Sequence, residues 1–291
     1  MKIKTFKNAP KFEKLQKLAA IVQSGNHAEI WAELIMLQNS MAFQSPAWQY
    51  CFEKFGAVLD DQNPRFAVFA LGGNSKLPFV AFSTLPGVTC PGAGECLLFC
   101  YSFRAWRYPA AFFRQLQNAY LLRFAPDVIA REFQTIAAAR PDGFDFRLYV
   151  DGDFANIENV IFWMQLLENT PAARAYGYSK SFAVLLAYDT VYSGNWPSNY
   201  QLNISSGHNA SAAMVDYVRA LPITRGEFRA VSIGRKVRSA DHGTPAINAL
   251  VRANVAEKIF PCPGACGSCT GKGHACGMPS LKGRVIAIAI H

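Results

Sequence analysis

The sequence predicts an α/β fold: a mainly parallel sheet with helices outside it, a helical N-terminal extension and a C-terminal cysteine-rich loop. Three observations predict it. From about residue 65, short apolar runs rich in β-branched and aromatic residues alternate with helical stretches, the pattern of parallel strands joined by crossover helices. Before that point, apolar residues recur at helical spacing. Seven of the eight cysteines fall in two tight groups, Cys90, Cys96 and Cys100, then Cys262, Cys266, Cys269 and Cys276.

In the extension (1–62), Phe12, Leu15, Leu18, Ala19 and Val22 mark one helix, and Ile30, Leu34, Ile35 and Leu37 a second. Ser24-Gly25-Asn26 breaks them apart. Cys51 stands alone here and reads as an inert buried thiol. The core (63–258) opens with strands over 65–71 and 77–83, and a helical stretch runs from Pro109 through Phe133. Strands at 146–151, 175–180, 199–205 and 229–234 then alternate with helices at 157–169, 211–221 and 247–255. The last segment (259–291) holds the second cysteine group and closes in Val285–Ile290, which reads as a buried strand. Such alternation suits a partial or full barrel, or a doubly wound sheet. No internal repeat or low-complexity linker divides the chain.

The 291 residues are 51% hydrophobic and only 17% charged, which excludes a disordered chain. A formal net charge of +9 favours anionic partners, nucleic acid first, although no dense Lys/Arg block carries it. The basic start, MKIKTFKNAPKFEKLQK, has no apolar run behind it and predicts no secretory leader. No stretch has the apolar length of a membrane span. The expected compartment is therefore the reducing cytoplasm, where clustered cysteines are ligands rather than disulfides. Trp106, Tyr108 and Trp196 are candidates for stacking on bases, or for ordinary packing. The five histidines show no H-x-x-x-H or H-x-E pairing, which argues against a zinc hydrolase.

The first cysteine group, C-x5-C-x3-C, lies in a loop with Pro91, Gly92 and Gly94, directly after a predicted strand. Parallel α/β folds build their sites at that edge. Three thiolates leave a metal or cluster position open, whereas four close it. A zinc site completed by His274 or by a cysteine of the second group is the structural alternative. The second group, C-x3-C-x2-C-x6-C, sits in a Gly/Lys-rich loop and suits either an auxiliary [4Fe–4S] cluster or a four-cysteine zinc site. Other strand tips offer Gly152 and Asp153, then Ser179 and Lys180, then Asn203 and Ser205. A carboxylate there suits an ammonium or metal, a lysine suits a carboxylate or phosphate, and amide or hydroxyl groups suit a ribose.

These residues resemble those of radical S-adenosylmethionine enzymes, which place three cysteines in the loop after the first strand of a partial (β/α) barrel. The resemblance implies a [4Fe–4S] cluster on Cys90, Cys96 and Cys100, with one iron open to S-adenosylmethionine. Phe99 stands where an aromatic residue precedes the last cysteine and packs near the adenine. Gly152-Asp153 stands in for the turn that binds the cofactor's ammonium. The spacing departs from the usual C-x3-C-x2-C. That usual spacing occurs instead at Cys262, Cys266 and Cys269, too near the chain's end for a barrel to follow, so the second group is expected to be the closed, supporting site. A second likeness is carried by T-C-P-G-A (89–93), R-L-Y-V-D-G-D-F (147–154), Trp163, Pro171, A-Y-G-Y-S-K-S (175–181) and the C-terminal cysteines. Between Phe79 and Cys276 the chain resembles the gene product eighty-eight family of phages and plasmids, which carries no established activity.

The expected function is that of a radical S-adenosylmethionine-like iron–sulfur enzyme of a mobile element. It would generate a 5′-deoxyadenosyl radical, act on a nucleic acid or nucleotide, and draw electrons from a flavodoxin or ferredoxin. The alternative is a non-catalytic zinc or iron–sulfur protein that binds nucleic acid or a host protein.

Overall fold

The computed structural model describes residues 9–72, 79–235, 237–267, 269–270 and 274–290. Three N-terminal helices, α1 (Ala9–Ser24), α2 (His27–Gln38) and α3 (Pro46–Asp61), pack on one another and on α4 (Pro109–Phe124). Asn26 makes the break between the first two: its side chain accepts from the Glu29 amide, and Glu29 returns the bond to the Asn26 amide. Cys51 is buried here, as expected. The extension shares one continuous apolar core with the helices that follow.

Among the described residues the eight strands are β1 (Ala70–Leu71), β2 (Val80–Ala81), β3 (Phe144–Leu148), β4 (Ala173–Ser179), β5 (Tyr200–Ser205), β6 (Thr224–Val231), β7 (Ile259–Pro261) and β8 (Val285–Ala289). They form one sheet in the order β1-β2-β3-β4-β5-β6-β8-β7. Only the β1–β2 pairing is antiparallel. The predicted strand 65–71 is reduced to its last two residues, and the first residues of predicted strand 77–83 lie outside the described ones. The predicted helix through Phe133 is two helices, α4 and α5 (Pro126–Ala138), because Pro126 restarts the chain after Ala125. The helices α6 (Ile157–Glu168), α8 (Ala212–Ala220) and α9 (Pro245–Ala253) fall where expected. The helix α7 (Phe182–Tyr192) was not foreseen: apolar residues sit on every face of FAVLLAYDTVY, so no amphipathic stripe announces it.

From β2 to β6 each strand is added beside the previous one. Crossovers between parallel strands are right-handed, so an order that never reverses puts every crossover helix on one face. A doubly wound sheet reverses and covers both faces. The one-way winding is the barrel type, left open between β1 and β7. Strand alternation follows from it. Phe146, Leu148, Ala175, Leu202 and Ile204 face the helices in the main core. Their neighbours Tyr176, Tyr178, Phe228 and Ile286 face the other way, in a smaller apolar cluster that includes Cys262, Cys266, Cys269 and Cys276.

The C-terminal segment is fastened to this second face from below. Arg225 is fully buried in β6 and donates from Nε to Asn203 Oδ1 at 2.6 Å and from one NH2 group to the Leu281 and Arg284 carbonyls. Asn203 in turn donates to the Gly177 carbonyl and, at 3.0 Å, to the Cys276 carbonyl. Replacing Asn203 with alanine strands a buried guanidinium N–H and two carbonyls. We expect Asn203→Ala to cost about 3 kcal/mol, read as a lower urea midpoint. An unchanged midpoint would show that the fastening does not depend on this amide.

Candidate functional site

Parallel strands all end at the same edge of the sheet, so the loop after β2 and the segment after β7 leave it on the same side. The loop after β2 carries Cys90, Cys96 and Cys100 and docks on the tip of β5. The Gly94 and Cys96 amides donate to the Gly207 carbonyl at 3.0 and 3.2 Å, and the Asn209 amide donates to the Gly92 carbonyl at 3.1 Å. Gly92 is pressed against β4: a Cβ there would lie 1.6 Å from the Lys180 carbonyl oxygen. Gly152, at φ +82°, packs so closely on Thr84 that a Cβ would meet its hydroxyl at 2.1 Å. The loop after β3 is therefore seated directly on the loop after β2.

The segment after β7 starts with the Cys262 amide donating to Ala287 at 2.7 Å. It returns over the open face, where the His274 ring lies 4.4 Å from that of Tyr176 and 4.7 Å from that of Phe79. Cys276 is buried, its backbone held by Asn203 and its sulfur hydrogen-bonded by the Tyr178 hydroxyl.

All seven clustered cysteines line one cavity of about 420 Å³, and all eight in the chain are free thiols. The seven sort into two sets by mutual influence. Charge on Cys96 opposes charge on Cys100, and charge on Cys100 opposes it on Cys90. Likewise Cys276, Cys266 and Cys269 each oppose ionisation of Cys262. Burial pushes the Cys90 thiol far up, Asp153 adds to this, and the Gly87 amide and Lys180 pull it back. Burial raises Cys262 to about 12 and Cys276 to about 11. A group bound through these thiolates would displace their protons.

Among the described residues, no three His, Cys, Asp or Glu side chains form a ready site for a single metal ion. The donor set nevertheless fits a thiolate-held group. The ligand atoms are soft sulfurs, in sets of three and four. Hydrogen-bond donors are already aimed at them. Gly87 serves Cys90, Ser102 serves Cys100 through both amide and hydroxyl, Gly264 serves Cys262 at 3.4 Å, and Ala275 serves Cys269 at 3.2 Å. Such bonds stabilise thiolate and tune an iron–sulfur cluster.

Of the other residues singled out in the sequence, Phe99, Gly152, Asp153, Lys180 and Ser205 line the cavity. Lys180 Nζ donates to Ser205 Oγ at 2.8 Å. Asp153 accepts at Oδ1 from Ser179 Oγ and from its neighbour Phe154, and at Oδ2 from the Lys180 amide at 2.7 Å. Ser179 and Asn203 are fully buried and spend their bonds on Asp153, Arg225 and backbone carbonyls, so they are supports rather than cavity wall. Trp106 is fully buried and donates to Gln115, which excludes it as a stacking surface, while Tyr108 is exposed. Gln115 carries the chain of bonds on to Asp151 at 3.0 Å, at the cavity wall. Arg147, Tyr176, Tyr178 and Asp151 are cavity residues that spacing alone did not single out. The signal was there in RLYVD and AYGYS: polar or aromatic residues at every second position of strands whose other positions are apolar.

The site thus defines a class: an α/β protein with a one-way parallel sheet and a cavity walled at its strand ends by two sets of cysteines. The sequence model of the Gene product 88 family matches residues 59–277, and the chain belongs to that family. No curated protein matches the chain, and no solved structure matches it. Among the described residues, no helix is long and apolar enough to cross a membrane.

The tightest contact in this site yields a prediction. A methyl group on Gly92 meets backbone, which no rotamer change relieves. Gly92→Ala should destabilise the chain by about 2–3 kcal/mol and expose the 86–100 loop to limited proteolysis. A wild-type digestion pattern would show that the loop is not seated on β4.

Proposed function

We propose that this chain is an iron–sulfur enzyme of the radical S-adenosylmethionine type, encoded by a phage or other mobile element and acting in the cytoplasm of a bacterial host on a nucleic acid or nucleotide. The observation that carries this reading is the asymmetry of the cavity. Three thiols stand at the end of the first parallel strand and a separate set of four stands across from them. Four thiolates close a [4Fe–4S] site, and three leave one iron open. With S-adenosylmethionine bound, such an open cluster supplies the electron that cleaves the sulfonium to methionine and a 5′-deoxyadenosyl radical.

The protein's own residues orient the reactants. Cys90, Cys96 and Cys100 hold the open set. Lys180, braced on Ser205, presents its ammonium to the cofactor's carboxylate. Asp153 holds the Lys180 backbone, and its Oδ2, which accepts one bond from the protein, keeps acceptor capacity for the cofactor's ammonium. Phe99, beside Cys100 in the wall, offers a face to the adenine. Cys262, Cys266, Cys269 and Cys276 would hold the supporting group, which would be a cluster supplied with electrons by a flavodoxin or ferredoxin, or zinc in the alternative.

A second reading is a non-catalytic zinc or iron–sulfur protein that binds nucleic acid or a host protein. It draws on the exposed Tyr101, Arg104 and Tyr108, which follow Cys100 directly. Metal analysis separates the two. Anaerobically purified protein should carry about eight iron and eight sulfide per chain, the content of two four-iron clusters. The triple variant Cys90→Ala, Cys96→Ala, Cys100→Ala should lose about half of each. Reduced wild-type protein should release 5′-deoxyadenosine from S-adenosylmethionine, and the triple variant should not. Zinc without sulfide would overturn the enzyme reading.

A further inference from the structure

The open face of the sheet carries two polar atoms that the fold leaves unused. Arg147 on β3 and Tyr176 on β4 are register partners and point to the same side. Both line the cavity. Arg147 Nε and the Tyr176 hydroxyl are buried and have no hydrogen-bond partner among the described residues. A buried N–H and a buried hydroxyl are rarely left unpaired, so this pair, on residues that line a cavity, calls for an acceptor. The guanidinium lies 4.9 Å over the Tyr178 ring and is hydrogen-bonded to Tyr101, which leaves Nε over. The charge of Asp151 acts on Arg147, but its carboxylate makes no hydrogen bond to Arg147 Nε. An oxyanion is the acceptor that satisfies an arginine N–H and a phenol together.

The walls around this pair are aromatic. Tyr176, Tyr178, Phe228 and Phe99 face the cavity, a surface suited to stacking on a planar ring. A cavity of about 420 Å³ is the size of a small-molecule site and excludes a duplex. Lys180 is a separate cation, placed near Cys90, whereas the charge of Arg147 acts on Cys266.

We infer that Arg147 and Tyr176 form a substrate subsite for the phosphate of a nucleoside 5′-phosphate, held between the two cysteine sets with its base against the aromatic wall. This rests on the reading of the cavity as the substrate chamber of an iron–sulfur enzyme. The nucleotide comes either free or as one residue of a single strand, and both present the same phosphate and ring.

The test is calorimetric titration of the anaerobically reconstituted protein with the common ribo- and deoxyribonucleoside 5′-monophosphates, their nucleosides, and 5′-phosphorylated trinucleotides. At least one monophosphate should bind about tenfold or more tightly than its nucleoside. Arg147→Met should abolish that preference, Arg147→Lys should keep part of it, and Tyr176→Phe should weaken it severalfold, each at wild-type iron content. A trinucleotide that binds more tightly than the monomer identifies a strand as the source, and one that binds no better identifies the free nucleotide. Equal affinity for nucleotide and nucleoside, no binding of either, or a phosphate preference that survives Arg147→Met would overturn the subsite. Should Arg147→Met fail to hold iron, Tyr176→Phe decides alone, and an undiminished phosphate preference there overturns it. A wild type that holds two clusters and releases 5′-deoxyadenosine without any phosphate preference overturns the subsite and leaves the enzyme reading standing. Zinc without sulfide overturns the enzyme reading instead.

Discussion

Everything at the candidate site follows from a sheet wound in one direction. Because β2 to β6 are added in sequence, their crossover helices share a face, and the other face receives none. A sheet face without helices must still be covered. Here the covering is made by the C-terminal cysteine segment, a short Gly- and Pro-rich loop that lacks the apolar bulk of a helix, while the loop after β2 closes the strand tips. They leave a cavity where a helix would have left a core.

Parallel pairing then brings the cysteines together across a long stretch of sequence. Cys100 and Cys262 are far apart in the chain, yet each group follows a strand that ends at the same edge. The first group is held by backbone bonds to the β5 tip and by the absence of a side chain at Gly92. The second is held by Asn203, Arg225 and Tyr178. Each group thus has its own set of anchoring bonds.

The parallel strand–helix alternation and the two cysteine groups are legible in the sequence because their signals are local, whereas the alternation suits a barrel or a doubly wound sheet and only the strand order decides between them. A strand–helix alternation and a cysteine every few residues can be read within a short window. The face of the sheet that carries Arg147, Tyr176 and Tyr178 was not, since facing is settled by which side the helices take. Asn203 illustrates the limit. At a strand tip a buried amide and a ligand-binding amide look alike in sequence, and only the approach of Arg225 and the Cys276 carbonyl decides between them. The helix α7 escapes sequence reading for another reason: only Phe182, Leu185 and Tyr188 are buried, but apolar residues such as Ala183, Ala187 and Val191 also occupy its exposed face and hide the stripe.

Charge gives the buried cations a common logic. Among the described residues no carboxylate pairs with Arg225, although it is fully buried and desolvation opposes its charge. An uncompensated buried guanidinium is costly, and the groups that support its charge are Cys276 and Tyr178. Lys180 stands in the same relation to Cys90, and Arg147 to Cys266 and Cys276. Each thiol set thus has cations beside it, opposed at the first by Asp153. Protonated thiols would leave these cations facing neutral sulfur. Thiolates would give them counter-charges, and a bound metal or cluster would keep thiols of raised pKa ionised. With a thiolate-held group in place, part of the chain's basic excess would be matched inside the fold, by sulfur.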